Sequence, residues 1–256
     1  MTGTNSMDFS VHICAPRETV FPFLAEPEGF AAWMGAGSSI GGAPGDTMRV
    51  EYPNGVQALG EVVEVDPPRR IAFTWGFANN ENDIAPGETL VTITLDEVPD
   101  GTLLTLRHER FATPDQATAH RGGWRYYLAL LTEAASAATY DGTLAHRVEA
   151  FIDAWGEADV ERRREILQKC VTDDIVFRDG IGYTHGLDDL IGHISAALRF
   201  MPGLSLEGNG APRRTHEVAV FGWRVRDPDG AVVAAGDNVA RLAPDGRFRE
   251  VVGVKG

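Results

Sequence analysis

Three side chains that can exchange protons lie close together in FRDGIGYTHG, residues 177–186. Asp179 ends a predicted strand, and Tyr183 and His185 follow it. Carboxylate, phenol and imidazole groups serve as general acids and bases in enzymes. A solvated surface loop is the alternative, and it is slightly favoured for His185 taken alone. We take Asp179, Tyr183 and His185 as candidate site residues.

A second carboxylate, Asp237, is predicted to face inward from a β-hairpin. In HEVAVFGWRVR the side chains of Phe221 and Trp223 share an apolar face, which is expected to be the inner one. The turn DPDG suits a type I turn followed by a glycine bulge, because proline cannot supply the positive φ of a type I′ turn. That register sets Asp237 inward and Asn238 outward. Burial would then raise the pKa of Asp237 and fit it for acid–base catalysis, whereas a structural hydrogen bond is the equally weighted alternative.

Other reactive motifs lack the context that their chemistry needs. GSSIG matches G-x-S-x-G, but a nucleophile elbow requires a preceding strand and a following helix, and this segment is predicted to be a loop. The seven histidines, Cys14 and Cys170 show no metal-ligand spacing, and no phosphate-binding glycine loop occurs. We therefore expect neither a metal nor a cofactor.

An aromatic helix face in HRGGWRYYLALLTEAA, residues 120–135, raises the question of a binding cavity. Trp124, Tyr127, Leu128 and Leu131 recur at helical spacing. Core packing is the commoner role of such a face. The adjacent tyrosines favour a cavity instead, because a buried phenol needs a hydrogen-bond partner.

The elements that position these residues fall into two groups around the small, polar segment ASAATYDGT, residues 135–143. The first group reads as a strand, a helix interrupted at Pro22, several antiparallel strands and a long helix. The second reads as two helices, a strand, a third helix and a three-stranded meander. A length of 256 residues with 43% apolar composition fits two domains, which we place at residues 1–138 and 144–256. The order of strands and helices in each predicts the α+β class.

Charge and hydropathy indicate which kinds of binding partner and which cellular compartment to expect. A formal net charge of −14 argues against binding nucleic acid, because phosphates require a basic surface. The segment MTGTNSMDF has neither the basic region nor the apolar region typical of a leader, and the sequence has no apolar stretch of membrane-spanning length. Its two isolated cysteines fit a reducing compartment. We expect a cytoplasmic protein that binds no membrane. The sequence does not decide between a monomer and a homodimer.

The first half resembles the SRPBCC (START-like, helix-grip) superfamily, in the branch named after the activator of the heat-shock-protein-90 ATPase. GEVVEVDPPRRIAFTW, GTLLTLRHERF and H-x-x-G-W-x-x-x-L carry the match over about residues 8–135. The resemblance implies a curved antiparallel sheet that encloses a cavity with a long helix. The candidate ligand-binding residues there are Trp33, Trp75, Phe77, Trp124 and Tyr127.

The second half resembles the SnoaL-like branch of the nuclear-transport-factor-2-like cone fold. AFIDAWGEAD, GLDDLIGHI and AAGDNVARLAPDGRFREVVG carry the match over about residues 144–254. The resemblance implies an α+β cone, a curved antiparallel sheet packed on helices around a second cavity. The candidate ligand-binding residues there are Trp155, Tyr183, Phe221 and Trp223.

These resemblances imply a protein that binds small apolar or aromatic molecules in two cavity domains. The cone could act on its ligand by cofactor-free acid–base chemistry, as polyketide cyclases and ketosteroid isomerases do, with Asp237, Asp179 and His185 as the catalytic groups. A non-enzymatic carrier or sensor is the alternative. An activator of the chaperone ATPase is the least favoured hypothesis, because that activity depends on a further chaperone-binding domain.

Overall fold

A computed structural model describes residues 5–79 and 84–256 of the chain. The chain forms two compact units, Met1–Ala138 and Thr139–Gly256. Each unit combines one curved, open sheet with helices, and this confirms the predicted α+β class.

The first unit is built on a seven-stranded antiparallel sheet. Its strands are β1 (Ser6–Ile13), β2 (Ser39–Ile40), β3 (Thr47–Glu51), β4 (Gln57–Asp66), β5 (Arg70–Phe77), β6 (Thr89–Val98) and β7 (Gly101–Glu109). Their order across the sheet is β1-β7-β6-β5-β4-β3-β2. In β6 the buried side chains of Val91, Ile93 and Leu95 alternate with more exposed ones. This two-residue period gives the sheet one face toward the core.

Prolines set the boundaries of the early helices of this unit. The helices are α1 (Arg17–Val20), α2 (Pro22–Ala25), α3 (Pro27–Met34) and α4 (Pro114–Tyr140). Pro22 and Pro27 each begin a helix, because a first-turn residue needs no intrahelical N–H bond. The interruption predicted at Pro22 is therefore confirmed.

The second unit contains three helices and a six-stranded sheet. Its elements are α5 (Leu144–Ala154), α6 (Val160–Cys170), β8 (Val171–Arg178), β9 (Tyr183–His185), α7 (Leu187–Phe200), β10 (Ser205–Thr215), β11 (Val218–Arg226), β12 (Val232–Leu242) and β13 (Phe248–Lys255). The strand order is β10-β11-β12-β13-β8-β9. The pairs are antiparallel apart from β8 with β13, which is parallel.

The sequence analysis did not predict β9 or β10. β10 contains Gly208, Gly210 and Pro212, which weaken the strand pattern. Its pairing with β11 shifts register between Asn209 and Arg213. The strand lies at one edge of the sheet, where a proline is tolerated because it need not donate to a neighbouring strand.

An aromatic core supports the second sheet. The rings of Phe221 and Phe248 stack with centroids 5.5 Å apart, and Phe151 meets them edge-on at 6.0 and 5.8 Å. All three side chains are almost completely buried. Burying one such side chain stabilises a fold by about 1.5–3 kcal/mol. This cluster holds the inner face of the sheet against α5.

Candidate functional site

A cavity of about 320 Å³ opens in the second unit. Its size lies at the lower end of small-molecule pockets, which span about 300–1,000 Å³. The wall is mostly apolar and includes Trp155, Phe177, Leu198, Leu206 and Trp223. These residues come from the end of α5, from α7 and from strands β8, β10 and β11. Such a cavity suits a small apolar molecule.

Asp179 brings a carboxylate to this cavity from the turn after β8. Its backbone N–H donates to the carbonyl oxygen of Gly182 at 3.0 Å, and its Oδ1 accepts from the backbone N–H of Ile181 at 2.9 Å. Its Oδ2 lies 3.6 Å from Nε2 of His193. The turn therefore fixes one carboxylate oxygen and presents the other to an imidazole.

His193 is a site residue that the sequence analysis missed. It lies on α7, three residues after the buried Leu190 and four before Ala197, which lines the cavity, and it contacts two other lining residues. Its ring contacts Trp155 at 5.7 Å and Phe177 at 5.5 Å between centroids. Its spacing on the apolar face of an amphipathic helix is the sequence signal by which His193 could have been found.

Gly182 sets the position of the His193 ring. A Cβ added at Gly182 would lie 2.3 Å from Cε1 of that ring, which is closer than side chains can approach. Within the described part of the chain, Nε2 of His193 is buried and has no hydrogen-bond partner. At 3.6 Å the Asp179 carboxylate is just beyond direct hydrogen-bond distance from this nitrogen.

The predicted inward orientation of Asp237 is wrong. Asn238 pairs with Phe221, faces inward and is only 5% exposed, whereas Asp237 is exposed on the outer face of β12. Asn238 lines the cavity in the position predicted for the carboxylate. The side chain of Asp237 is solvated, so it lacks the burial on which its predicted catalytic role depended.

A β-bulge explains this reversal. The hairpin turn forms as predicted, since the backbone N–H of Asp227 donates to the carbonyl oxygen of Ala231 at 3.0 Å and Gly230 has a φ of 85°. The register then shifts by one residue between the Arg226–Val232 and Val225–Ala234 pairs. A shift of one residue exchanges the two faces of a strand.

Two hydrogen-bond donors complete the cavity. The indole N–H of Trp155 is buried and has no acceptor among the described residues. The amide of Asn238 lies near Asp179, because a Cβ at Gly253 would be 3.2 Å from both Asn238 Oδ1 and Asp179 Cβ. The residues that line the cavity thus include one carboxylate and two with donor groups, and the imidazole of His193 lies beside the carboxylate. A base beside donors that can stabilise an oxyanion is the arrangement required for proton transfer next to a carbonyl group.

Tyr183 and His185 do not line the cavity. On β9 the intervening Thr184 is buried and pairs with Phe177, so its two neighbours project to the opposite face. Tyr183 is 69% exposed and lies against the guanidinium group of Arg178, and His185 is exposed as well.

Trp155 and Trp223 line the cavity, as predicted, but Phe221 does not. It is 1% exposed and belongs to the aromatic core described above. The ligand-binding roles of Trp155 and Trp223 stay predictions.

A second cavity, of about 210 Å³, opens in the first unit. Four of the predicted residues line it, namely Trp75, Phe77, Trp124 and Tyr127. Trp33 instead lies in the core, where its indole N–H donates to the carbonyl oxygen of Phe23 at 2.7 Å. Tyr52 and His120 are further lining residues that the sequence analysis did not single out as ligand contacts.

A chain of hydrogen bonds behind this cavity fixes the tautomer of His108. The indole N–H of Trp124 donates to His108 Nδ1 at 3.0 Å, so Nδ1 carries no proton. The Thr89 hydroxyl donates to the carbonyl oxygen of Trp75 at 2.9 Å, which leaves its oxygen to accept from His108 Nε2 at 2.8 Å. Burial, together with the neighbouring His120, holds the pKa of His108 well below its usual value. His108 is therefore a neutral, structural side chain.

Neither a metal cluster nor a membrane span is present in the described ranges. Residues 5–79 and 84–256 contain no group of three or more His, Cys, Asp or Glu arranged to hold a metal ion. Within the same ranges no helix has the length and apolar character needed to cross a membrane.

Burial raises the pKa of Cys170 to about 12, so this thiol stays protonated at neutral pH.

Comparison with known proteins places the two units in separate families. The family model of the activator of Hsp90 ATPase homolog 1-like proteins matches residues 14–136, and that of the SnoaL-like domain matches residues 148–251. A search of curated proteins returned no match to the chain.

Solved structures similar to each unit were also found. A SnoaL-like family protein from Agrobacterium tumefaciens is 30% identical over 43% of this chain and 95% of its own, with a TM-score of 0.42. An AHSA1-like protein from Rhizobium etli is 30% identical over 53% of this chain and 86% of its own, with a TM-score of 0.40. The Aha1 dimer from Colwellia psychrerythraea is 22% identical over 50% of this chain and 94% of its own, with a TM-score of 0.43. The chain belongs to the activator of Hsp90 ATPase homolog 1-like family through its first unit and to the SnoaL-like family through its second.

Proposed function

We propose that this protein binds small, mostly apolar molecules in both cavities and catalyses a cofactor-free proton transfer in the cavity of the second unit. The observation that carries the proposal is the carboxylate of Asp179, which lines an apolar cavity and lies 3.6 Å from the imidazole of His193. The substrate class is a small ketone or enone with an acidic C–H next to its carbonyl group. The reaction class is isomerisation or cyclisation, as in polyketide cyclases.

Each group in the cavity has a chemical role in this proposal. Asp179 removes a proton from the carbon beside the carbonyl group, and the C–H electron pair becomes an enolate. The indole N–H of Trp155 and the amide of Asn238 donate to the enolate oxygen. His193 orients the carboxylate and relays the proton to the carbon at which the product is protonated. Positioned proton transfer of this kind contributes about 10²–10⁴-fold to a rate.

The proposal also agrees with the activity suggested for a similar protein. The A. tumefaciens protein of the SnoaL-like family is described as a candidate isomerase. An isomerase that moves a double bond needs a base and a stabilised enolate, which the groups in this cavity can supply.

Solvent exchange tests the proposed reaction without knowledge of the natural substrate. The full-length protein is incubated in deuterated buffer with a panel of cyclic enones and β-diketones, and exchange of the α-protons is followed by NMR. We expect His193→Phe to lower the exchange rate roughly 10²-fold, because the carboxylate loses its partner. His185→Phe is the matched control and should leave the rate unchanged, since His185 lies outside the cavity. Equal rates in both variants would refute the role of His193.

A carrier or sensor is the second candidate, and the apolar wall of the cavity favours it. Native mass spectrometry of the purified protein distinguishes the two. A retained small molecule, together with no exchange of any panel compound, would favour the carrier hypothesis and overturn the enzyme hypothesis.

A further inference from the structure

His120 lines the cavity of the first unit and carries a buried hydrogen-bond acceptor. Its Nδ1 lies 2.8 Å from the backbone carbonyl oxygen of Gln116. A carbonyl oxygen only accepts, so Nδ1 carries the proton and Nε2 of the neutral ring is a bare acceptor. Burial lowers the pKa of His120, which keeps the ring neutral at pH 7. Nε2 is buried, and no donor among the described residues reaches it.

Trp75 also lines this cavity and carries a buried hydrogen-bond donor. Its side chain is 2% exposed, and its indole N–H meets no acceptor in the described part of the chain. The neighbouring Trp124 lies 5.5 Å away between ring centroids and has its own N–H bonded to His108. A buried polar group left without a partner destabilises the fold, and a ligand that pairs with it removes that cost. The unpaired donor of Trp75 and the unpaired acceptor of His120 thus define two polar positions for a ligand.

The remaining wall specifies an uncharged, flat molecule. Tyr52, Phe77, Trp124 and Tyr127 supply aromatic faces, and the ring centroids of Tyr52 and Tyr127 are 6.1 Å apart. The residues that line the cavity in the described ranges include no Lys, Arg, Asp or Glu. An ionised carboxylate or ammonium group would therefore be buried without an opposite charge, which is costly.

We propose that the cavity of the first unit selects a single-ring aromatic compound that carries a neutral hydroxyl group. The hydroxyl donates to His120 Nε2, and an oxygen of the ligand accepts from the indole N–H of Trp75. The volume of about 210 Å³ fits one substituted ring, since a cavity of about 150 Å³ holds benzene. The inference deepens the proposed function and rests on its claim that this unit binds small apolar molecules.

Gly123 offers a way to block this cavity without disturbing the fold. It lies within α4 and lines the cavity, whereas the adjacent Gly122 does not line it. A Cβ at either position meets no atom within 4 Å. Leucine is a better helix former than glycine, so either replacement should preserve the helix. Gly123→Leu and Gly122→Leu are thus a matched pair, of which the first alone places a side chain at the cavity.

The test titrates the ¹⁵N-labelled full-length protein with 4-methylphenol and, separately, with 1,4-dimethylbenzene, which replaces the hydroxyl by a methyl group. The indole N–H signal of Trp75, assigned with Trp75→Phe, reports on the site. We expect 4-methylphenol to shift this signal and to bind about tenfold more tightly than 1,4-dimethylbenzene. Gly123→Leu should abolish this binding and Gly122→Leu should preserve it. His120→Phe should reduce the difference between the two compounds.

The outcomes separate this inference from the proposed function. Equal binding of the two compounds at this site would overturn the selection of a hydroxyl and leave apolar binding intact. Binding of neither compound would overturn both claims for this unit. Binding of 4-methylphenol that survives Gly123→Leu would place the compound elsewhere and reject the site.

Discussion

At the scale of single residues, His108 shows how burial converts a titratable group into a structural one. Its pKa is well below the ordinary value in the folded protein, because the ring is buried and lies near His120. In the unfolded chain its pKa is about 6.5. The unfolded state therefore binds more protons as the pH falls below this value, and stability falls with it.

This difference predicts an acid-sensitive first unit. His108 makes no pH-dependent contribution above about pH 7, where both states are unprotonated. Below about pH 6.5, His108 should lower the free energy of unfolding by up to about 1.4 kcal/mol per pH unit. His108→Gln can keep both hydrogen bonds, and it should flatten this dependence in urea titrations between pH 7 and 5. An unchanged slope in His108→Gln would show that other groups cause the effect.

A second residue-scale prediction concerns Gly182. Gly182→Ala places a Cβ 2.3 Å from the present position of the His193 ring, so the imidazole must move. A displacement of about 1 Å in a reacting group can cost 10²-fold in rate. We expect α-proton exchange to fall by about tenfold or more while the circular dichroism spectrum stays unchanged. Gly192→Ala is the control, because its Cβ meets open space. A Gly182→Ala variant as active as wild type would mean that the position of His193 does not matter.

At the scale of elements, regular patterns were predictable and local irregularities were not. The alternation in β6 and the interruption at Pro22 follow from side-chain period and from the missing N–H of proline. The bulge that reverses β12 carries no comparable signal in GAVVAAGD, because small apolar residues fit either face. Asn238 was therefore missed as a cavity residue, and Asp237 was placed on the wrong face.

The segment at the junction of the two units is a second element whose structure the sequence pattern did not predict correctly. The segment ASAATYDGT, residues 135–143, was predicted to be a boundary because it is small, polar and unperiodic, yet α4 continues into it as far as Tyr140. Alanine is the strongest helix former and needs no amphipathic pattern to extend a helix. A prediction based on periodicity alone therefore placed the end of this helix too early.

At the scale of the whole molecule, each unit carries its own hydrophobic cluster, so each is expected to fold alone. Tyr140 is 1% exposed and belongs to the cluster of the second unit. A fragment of residues 139–256 should therefore be more stable than one of residues 141–256, by about 3 kcal/mol or more, because the latter loses a buried aromatic side chain. Urea denaturation of the two fragments measures the difference. Equal stability would contradict this assignment of Tyr140, and insoluble fragments would contradict independent folding.

The central claim, that Asp179 is the base of the second unit's cavity, is tested most directly by two matched substitutions. Asp179→Asn and Asp237→Asn each remove one charge from the same unit, but only Asp179 lines the cavity, while Asp237 is exposed. The measurement is the rate of α-proton exchange of cyclic enones by the full-length protein in deuterated buffer. We predict that Asp179→Asn lowers this rate by about 10²–10⁴-fold and that Asp237→Asn leaves it unchanged. Loss of exchange in Asp237→Asn with full activity in Asp179→Asn would contradict the account.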